Sequence, residues 1–207
     1  MLSHFLPVFF SMFIVIDPIG LVPLYIALTS NIDSEKERRQ IITKAVCIAF
    51  AVSGGFIIAG KHILALLHIE PGSFYIAGGI MLFIISLEML FGQPTKTKTT
   101  QEDEESGAVS VAVFPLAIPM LAGAGTQTTI ILYTSSEGAG LAMTAMLFIS
   151  LIITLACVWL FLRGSELIIK TLGRTGVSVL ERIMGILLSG LSVQFVYNGV
   201  IKLGILG

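Results

Sequence analysis

Hydrophobic and polar positions divide the chain into long apolar runs separated by short polar stretches. Runs at roughly 5–28, 41–60, 74–91, 111–133, 141–162 and 180–201 each approach the ~20 residues that carry a helix across ~30 Å of hydrocarbon. The pattern predicts an all-α bundle of six transmembrane helices. Nothing alternates apolar with polar residues over the ten or so positions that a barrel strand needs, which sets a β-barrel aside. MLSHFLPVFFSMF has neither a cationic leader nor a small-residue cleavage site, so the first run is expected to be a retained span.

Composition agrees. Hydrophobic residues make up 55% of the 207 and charged residues 12%, with a mean hydropathy of +0.96, far from the averages for a soluble domain. A net charge of -1, spread over short connections, offers no basic surface for nucleic acid. Cys47 and Cys157 lie in separate apolar runs and suggest neither a disulfide nor a metal pair. Both read as small core residues.

The cations are unevenly distributed. Lys36, Arg38, Arg39, Lys44, Lys96, Lys98, Arg163, Lys170, Arg174 and Arg182 fall at the odd-numbered connections, and only Lys61 and Lys202 on the other side. The positive-inside rule then places both termini outside the cytoplasm of a bacterial inner membrane. GQPTKTKTTQEDEESGA, in the third connection, has almost nothing to bury and reads as a flexible acidic cytoplasmic linker. It divides the chain into residues 1–91, a linker at 92–110, and residues 111–207.

The two halves resemble each other. FYIAGGIMLFIISLEML at 74–90 aligns with VLERIMGILLSGLSVQF at 179–195 on the IAGGI and RIMGI cores. Each is preceded by a shorter stretch closing on glycine, KHILALLHIEPG and SELIIKTLGRTG, read as interfacial. A unit of three helices is odd, so its second copy must enter from the opposite side, as the charge count independently requires. Two inverted three-helix repeats, an architecture common in secondary transporters, are predicted.

Both halves are interrupted at matching places. Pro18, Gly20 and Pro23 should break or kink the first span, and Gly123 and Gly125, preceded by Pro115 and Pro119, the fourth. Irregular backbone at membrane depth is tolerated only where protein or a water-filled cavity satisfies it, so a cavity is expected between the breaks. The restarted helix at each break offers free N–H groups and a partial positive charge, suited to a substrate carboxylate. Thr126, Gln127, Thr128 and Thr129 add hydroxyl and amide groups at the second break.

Asp17 lies near the middle of its span, where a carboxylate is costly and is a functional candidate by default. Followed by Pro18, it is equally suited to start a helix as its N-cap. Both roles are compatible, and proton coupling through Asp17 is one reading. Glu88, near the end of the third span, is a secondary candidate able to reach the interface. Glu181 and Arg182 are expected to pair or to reach the interface, and Gln194 and Asn198, four apart, to hydrogen-bond between helices. His4, His62 and His68 lie near span ends. An intramembrane serine protease would need a histidine at depth, an aspartyl protease a second buried aspartate, and a metalloenzyme a ligand cluster; the sequence provides none. The chain is read as no enzyme, with no cofactor and no metal.

DPIGLVPLY, PLAIPMLAGAGT at 115–126, and RIMGILL followed by QFVYNG resemble the MarC/SnatA family of six-span membrane proteins. The resemblance covers the whole chain. It implies a transporter-like fold and a role in moving small neutral amino acids such as glycine and alanine, and it carries over onto Asp17, Pro18, Gly20, Pro23, Pro115, Pro119, Gly123, Gly125 and Thr126. This chain departs from many relatives at Leu21, where they have Asn, and at Ala124, where they have Pro. The expected activity is carriage of a small neutral amino acid, with a proton or sodium ion as coupling partner, at a site between the breaks. An exporter of another small metabolite, built like the LysE superfamily, is the alternative within transport. A non-transporting scaffold or lipid-handling protein is the alternative outside it.

Overall fold

A computed structural model describes residues 2–30, 32–91, 112–135 and 140–204; the expected linker at 92–110 lies outside the described residues. Every described element is helical: α1 (Leu2–Ile16), α2 (Leu21–Leu28), α3 (Glu35–Leu66), α4 (Pro71–Phe91), α5 (Ala112–Leu121), α6 (Ala124–Thr134), α7 (Leu141–Arg163) and α8 (Ser165–Lys202). Among the described residues, five stretches are long and apolar enough to cross a membrane: Phe5–Leu28 taken through its break, α3, α4, α7 and Thr175–Lys202. The region of the expected fourth span is divided between α5 and α6, neither of which is long enough alone.

Local chemistry explains the boundaries. Ser34 accepts a hydrogen bond from the Glu37 N–H at 3.4 Å, and Glu35 and Glu37 place negative charge in the first turn of α3, the arrangement that favours a helix start. Between Gly60 and Leu66 no breaker intervenes. The stretch from Lys61, expected to lie apart as an interfacial segment, therefore continues α3 until His68 turns the chain with a φ of 53°. Its counterpart behaves differently. Residues 165–172 are set off from the rest of α8 by Gly173, whose φ of 67° a side chain would strain, and Ile168 and Ile169 pack on the core.

The packing has two parts. Elements α1, α7, α3, and α5 with α6 form a closed ring in which each touches the next and the last returns to α1, around Val8, Met12, Ala45, Ala49, Leu116, Leu147 and Leu151. Beside it, α4 and α8 make the most extensive pairing in the molecule. Glycines let their backbones approach: a Cβ on Gly79 would lie 2.8 Å from the Ser192 carbonyl oxygen, and one on Gly199 2.7 Å from that of Gly72. Small residues serve this purpose in membrane helices. A separate small core of Leu82, Leu188 and Phe195 closes the pair. Its outer faces expose Ile80, Ile84, Ile186 and Leu187, as lipid-facing surface requires.

Two ends of the bundle are distinguishable. At one, Arg38 pairs with Glu166 at 2.7 Å and Trp159 lies under the guanidinium groups of Arg39 and Arg163. The connections after α2 and α7 therefore share a face. At the other, Lys202 lies over Tyr75, placing the start of α4 beside the end of α8. Arg38, Arg39 and Arg163, from the first and fifth connections, gather on the first face.

Candidate functional site

The first break is a short, self-capped turn. The Asp17 N–H still donates to Phe13 O at 2.9 Å, and the Asp17 backbone then swings to φ 47°, a left-handed conformation that aspartate tolerates better than most residues. Asp17 O accepts the Leu21 N–H at 3.2 Å, starting a new helical turn. Pro18 occupies the first position of that turn, where no N–H is required. Asp17 Oδ1 accepts the Gly20 N–H at 3.1 Å. Gly20 has an ordinary φ of -65°; its smallness matters because a Cβ there would strike the Asp17 carboxylate. Pro23, expected to contribute to the break, lies inside the first turn of α2, where its missing N–H costs little. Leu21 is buried in the core.

The second break is open. Helix α5, which contains Pro115 and Pro119, is wound as a π-helix, one of the adjustments that accommodate proline at membrane depth. It closes with Ala122 N–H donating to Ala117 O at 2.9 Å. Gly123 is extended (φ -77°, ψ 179°) and starts α6 with no side-chain cap. The polar residues that follow reach back over the break. Thr126 Oγ1 donates to Leu121 O at 2.8 Å. Gln127 Nε2 donates to Ala122 O at 3.2 Å and to Ser53 Oγ at 3.3 Å. Thr129 Oγ1 donates to Gly125 O. All three are buried, as is Thr128.

The fold brings the breaks together. A Cβ on Gly125 would lie 3.0 Å from Val15 Cγ1 and would strike Leu82 of α4; Val15 precedes Asp17 by two residues. Thr128 packs against Gly78 of α4 so closely that a Cβ there would collide with it. Above them, Ser11 Oγ and Tyr133 OH are 2.9 Å apart, joining α1 to α6. Glu88 does not join this group. It lies six residues beyond Leu82, about 9 Å along the helix, half-buried near the end of α4. Gln194 and Asn198 bond to each other within α8, at 2.9 Å on its exposed surface, in place of the expected bond between helices.

Around the breaks the packing is close. A groove of about 520 Å³ lies instead between α3 and α7, lined by Val46, Cys47, Phe50, Ile152, Ala156 and Trp159, and is apolar. Sequence reasoning missed Ser53, which holds Gln127, and the buried Ser150 and Thr154 of α7. Their available signal was the spacing of small polar residues on otherwise apolar helical faces.

The match to known proteins now has a fold to attach to. Residues 2–203 match the family described as MarC family integral membrane protein. The chain belongs to the MarC family. It is 33% identical over 200 residues to a UPF0056 membrane protein of Methanocaldococcus jannaschii, covering 96% of this chain and 97% of that one. A UPF0056 membrane protein of Archaeoglobus fulgidus is 38% identical, covering 96% and 92%, and one of Aquifex aeolicus 34% identical, covering 94% and 91%. No solved structure matches. This MarC-family chain is a multi-pass integral membrane protein with two backbone breaks packed against each other inside its bundle.

Proposed function

We propose that the protein is a secondary transporter of small neutral amino acids of the glycine and alanine class, working by alternating access at a site between the breaks. The observation that carries this reading is the meeting of the two breaks at Val15 and Gly125, with buried Asp17, Thr126, Gln127 and Thr128 around them. Discontinuous helices that meet inside a bundle are how many carriers build a substrate site. In this reading the chain is a carrier and not an enzyme, its partners are the bilayer, its substrate and a coupling proton or sodium ion, and α5 with α6 makes the sixth span.

The contact pattern supports an inverted repeat. Elements α3 and α4 of the first half meet α7 and α8, their counterparts in the second, and the cross-pairings are reciprocal: α1 with α7 matches α5 with α3, and α2 with α7 matches α6 with α3, as a pseudo-two-fold axis in the membrane would require. Because α4 and α8 come from different halves and are tightly joined, the moving bodies are the α4–α8 pair and the ring, sliding at Gly78–Thr128 and Leu82–Gly125. The cationic face is cytoplasmic, and both termini lie on the opposite side of the inner membrane.

Uptake of labelled alanine and glycine into proteoliposomes, with and without an imposed pH gradient, tests this. Gradient-driven uptake by the native chain that is lost in Asp17→Asn supports a proton-coupled carrier. No uptake above empty vesicles by folded protein rejects the reading.

A further inference from the structure

Besides Ser135 Oγ just past the end of α6, three buried polar atoms in the ring have no hydrogen-bond partner among the described residues: Gln127 Oε1, Ser150 Oγ and Thr154 Oγ1. Their residues are 6%, 0% and 0% exposed. Hydroxyls in a membrane helix usually satisfy themselves on the carbonyl one turn back, as Thr29, Thr129 and Thr134 do here; Ser150 and Thr154 do not. The Gln127 amide cannot escape by flipping, because its nitrogen is held by Ala122 O and the reversed amide would set oxygen against oxygen.

These atoms lie at related depths. Helices α3 and α7 run antiparallel, with Thr43 bonded to Trp159 and Gly54 packed on Phe148, which puts Ser150 level with Ser53. Ser53 in turn holds Gln127. Thr154 is one turn further along the same face of α7. A buried group left without a partner is costly, so three at neighbouring depths of a bundle mark a place where a partner belongs.

The geometry points to a subsite for a primary ammonium group, formed by Gln127 Oε1 with the hydroxyls of Ser150 and Thr154. Three acceptors match the three N–H bonds of such a group. The nearby start of α6, uncapped at Gly123, takes the carboxylate of the same zwitterion. The amine is thereby assigned to neutral acceptors and not to Asp17, whose carboxylate already holds the Gly20 N–H. This rests on the transporter reading and gives it a polarity: carboxylate at the α6 terminus, ammonium towards α7.

The test is equilibrium binding of labelled alanine to purified protein in nanodiscs, with propionate, which lacks the amine, as competitor. Native protein should bind alanine and be displaced poorly by propionate. Ser150→Ala and Thr154→Val should each weaken alanine roughly ten- to hundred-fold, the range of a hydrogen bond to a charged group. Their melting temperatures should be unchanged or raised, since each removes a hydroxyl that nothing in the protein satisfies. Gln127→Met should weaken binding too, but it also releases Ser53, so the two α7 variants decide. Unchanged alanine affinity in both, or propionate competing as well as alanine, overturns the subsite. Native protein that binds neither compound overturns the carrier reading itself, and the subsite with it.

Discussion

The two breaks occupy matching positions in the two halves, yet they are finished differently. At the first, Asp17 turns through a left-handed conformation and places its own carboxylate on the Gly20 N–H. At the second, an extended glycine starts α6 with no side-chain cap among the described residues, and side chains downstream return to satisfy the carbonyls instead. One break carries its own carboxylate cap and the other has no side-chain cap.

The largest expected effect comes from filling the contact between the breaks. Gly125→Val would drive a side chain into Val15 and Leu82; overpacking of this kind costs about 1–3 kcal/mol, so thermal unfolding should fall several degrees and alanine uptake should vanish. Next is the cap. Asp17→Ala removes a bond worth about 0.5–2 kcal/mol and leaves a side chain less tolerant of positive φ. Asp17→Asn keeps both the acceptor and the tolerance, so denaturation should separate the two clearly, with Asn near native. A smaller gain is expected from making the second break imitate the first. Gly123→Asp supplies a cap and a negative charge at the start of α6, raising stability by about 0.3–1 kcal/mol while abolishing alanine binding in the nanodisc assay. Glu166→Gln, remote from both breaks, loses one largely exposed ion pair with Arg38; its unfolding should shift by less than about 1 kcal/mol and its uptake should not change.

Much of this architecture was legible because it is local. Proline, glycine and aspartate announce a break wherever they stand in an apolar run, and Asp17 followed by Pro18 carried its capping role in plain view. Pro23 was misleading because a proline's effect depends on its place within the turn, which the sequence does not reveal. The stretch from Lys61 was misread for a related reason: moderate polarity does not end a helix without a breaker. What escaped was tertiary. Nothing in the local sequence distinguishes Ser150 and Thr154 of α7 from Thr144 of the same helix or Thr171 of α8, whose hydroxyls bond to carbonyls one turn back. The partnership of α4 with α8 likewise depends on which glycines come to face one another.

In the transporter reading, the two breaks border one pathway that admits water and substrate. Single cysteines at positions 19 and 124, in a chain whose Cys47 and Cys157 are replaced by alanine, test it most directly. Positions 20 and 125 are unsuitable because side chains there collide with Asp17 and Leu82. Both cysteines should react with a charged, membrane-impermeant thiol reagent, and saturating alanine should protect Ala124→Cys more than Ile19→Cys. A folded protein in which neither position reacts from either side of the membrane would contradict the account.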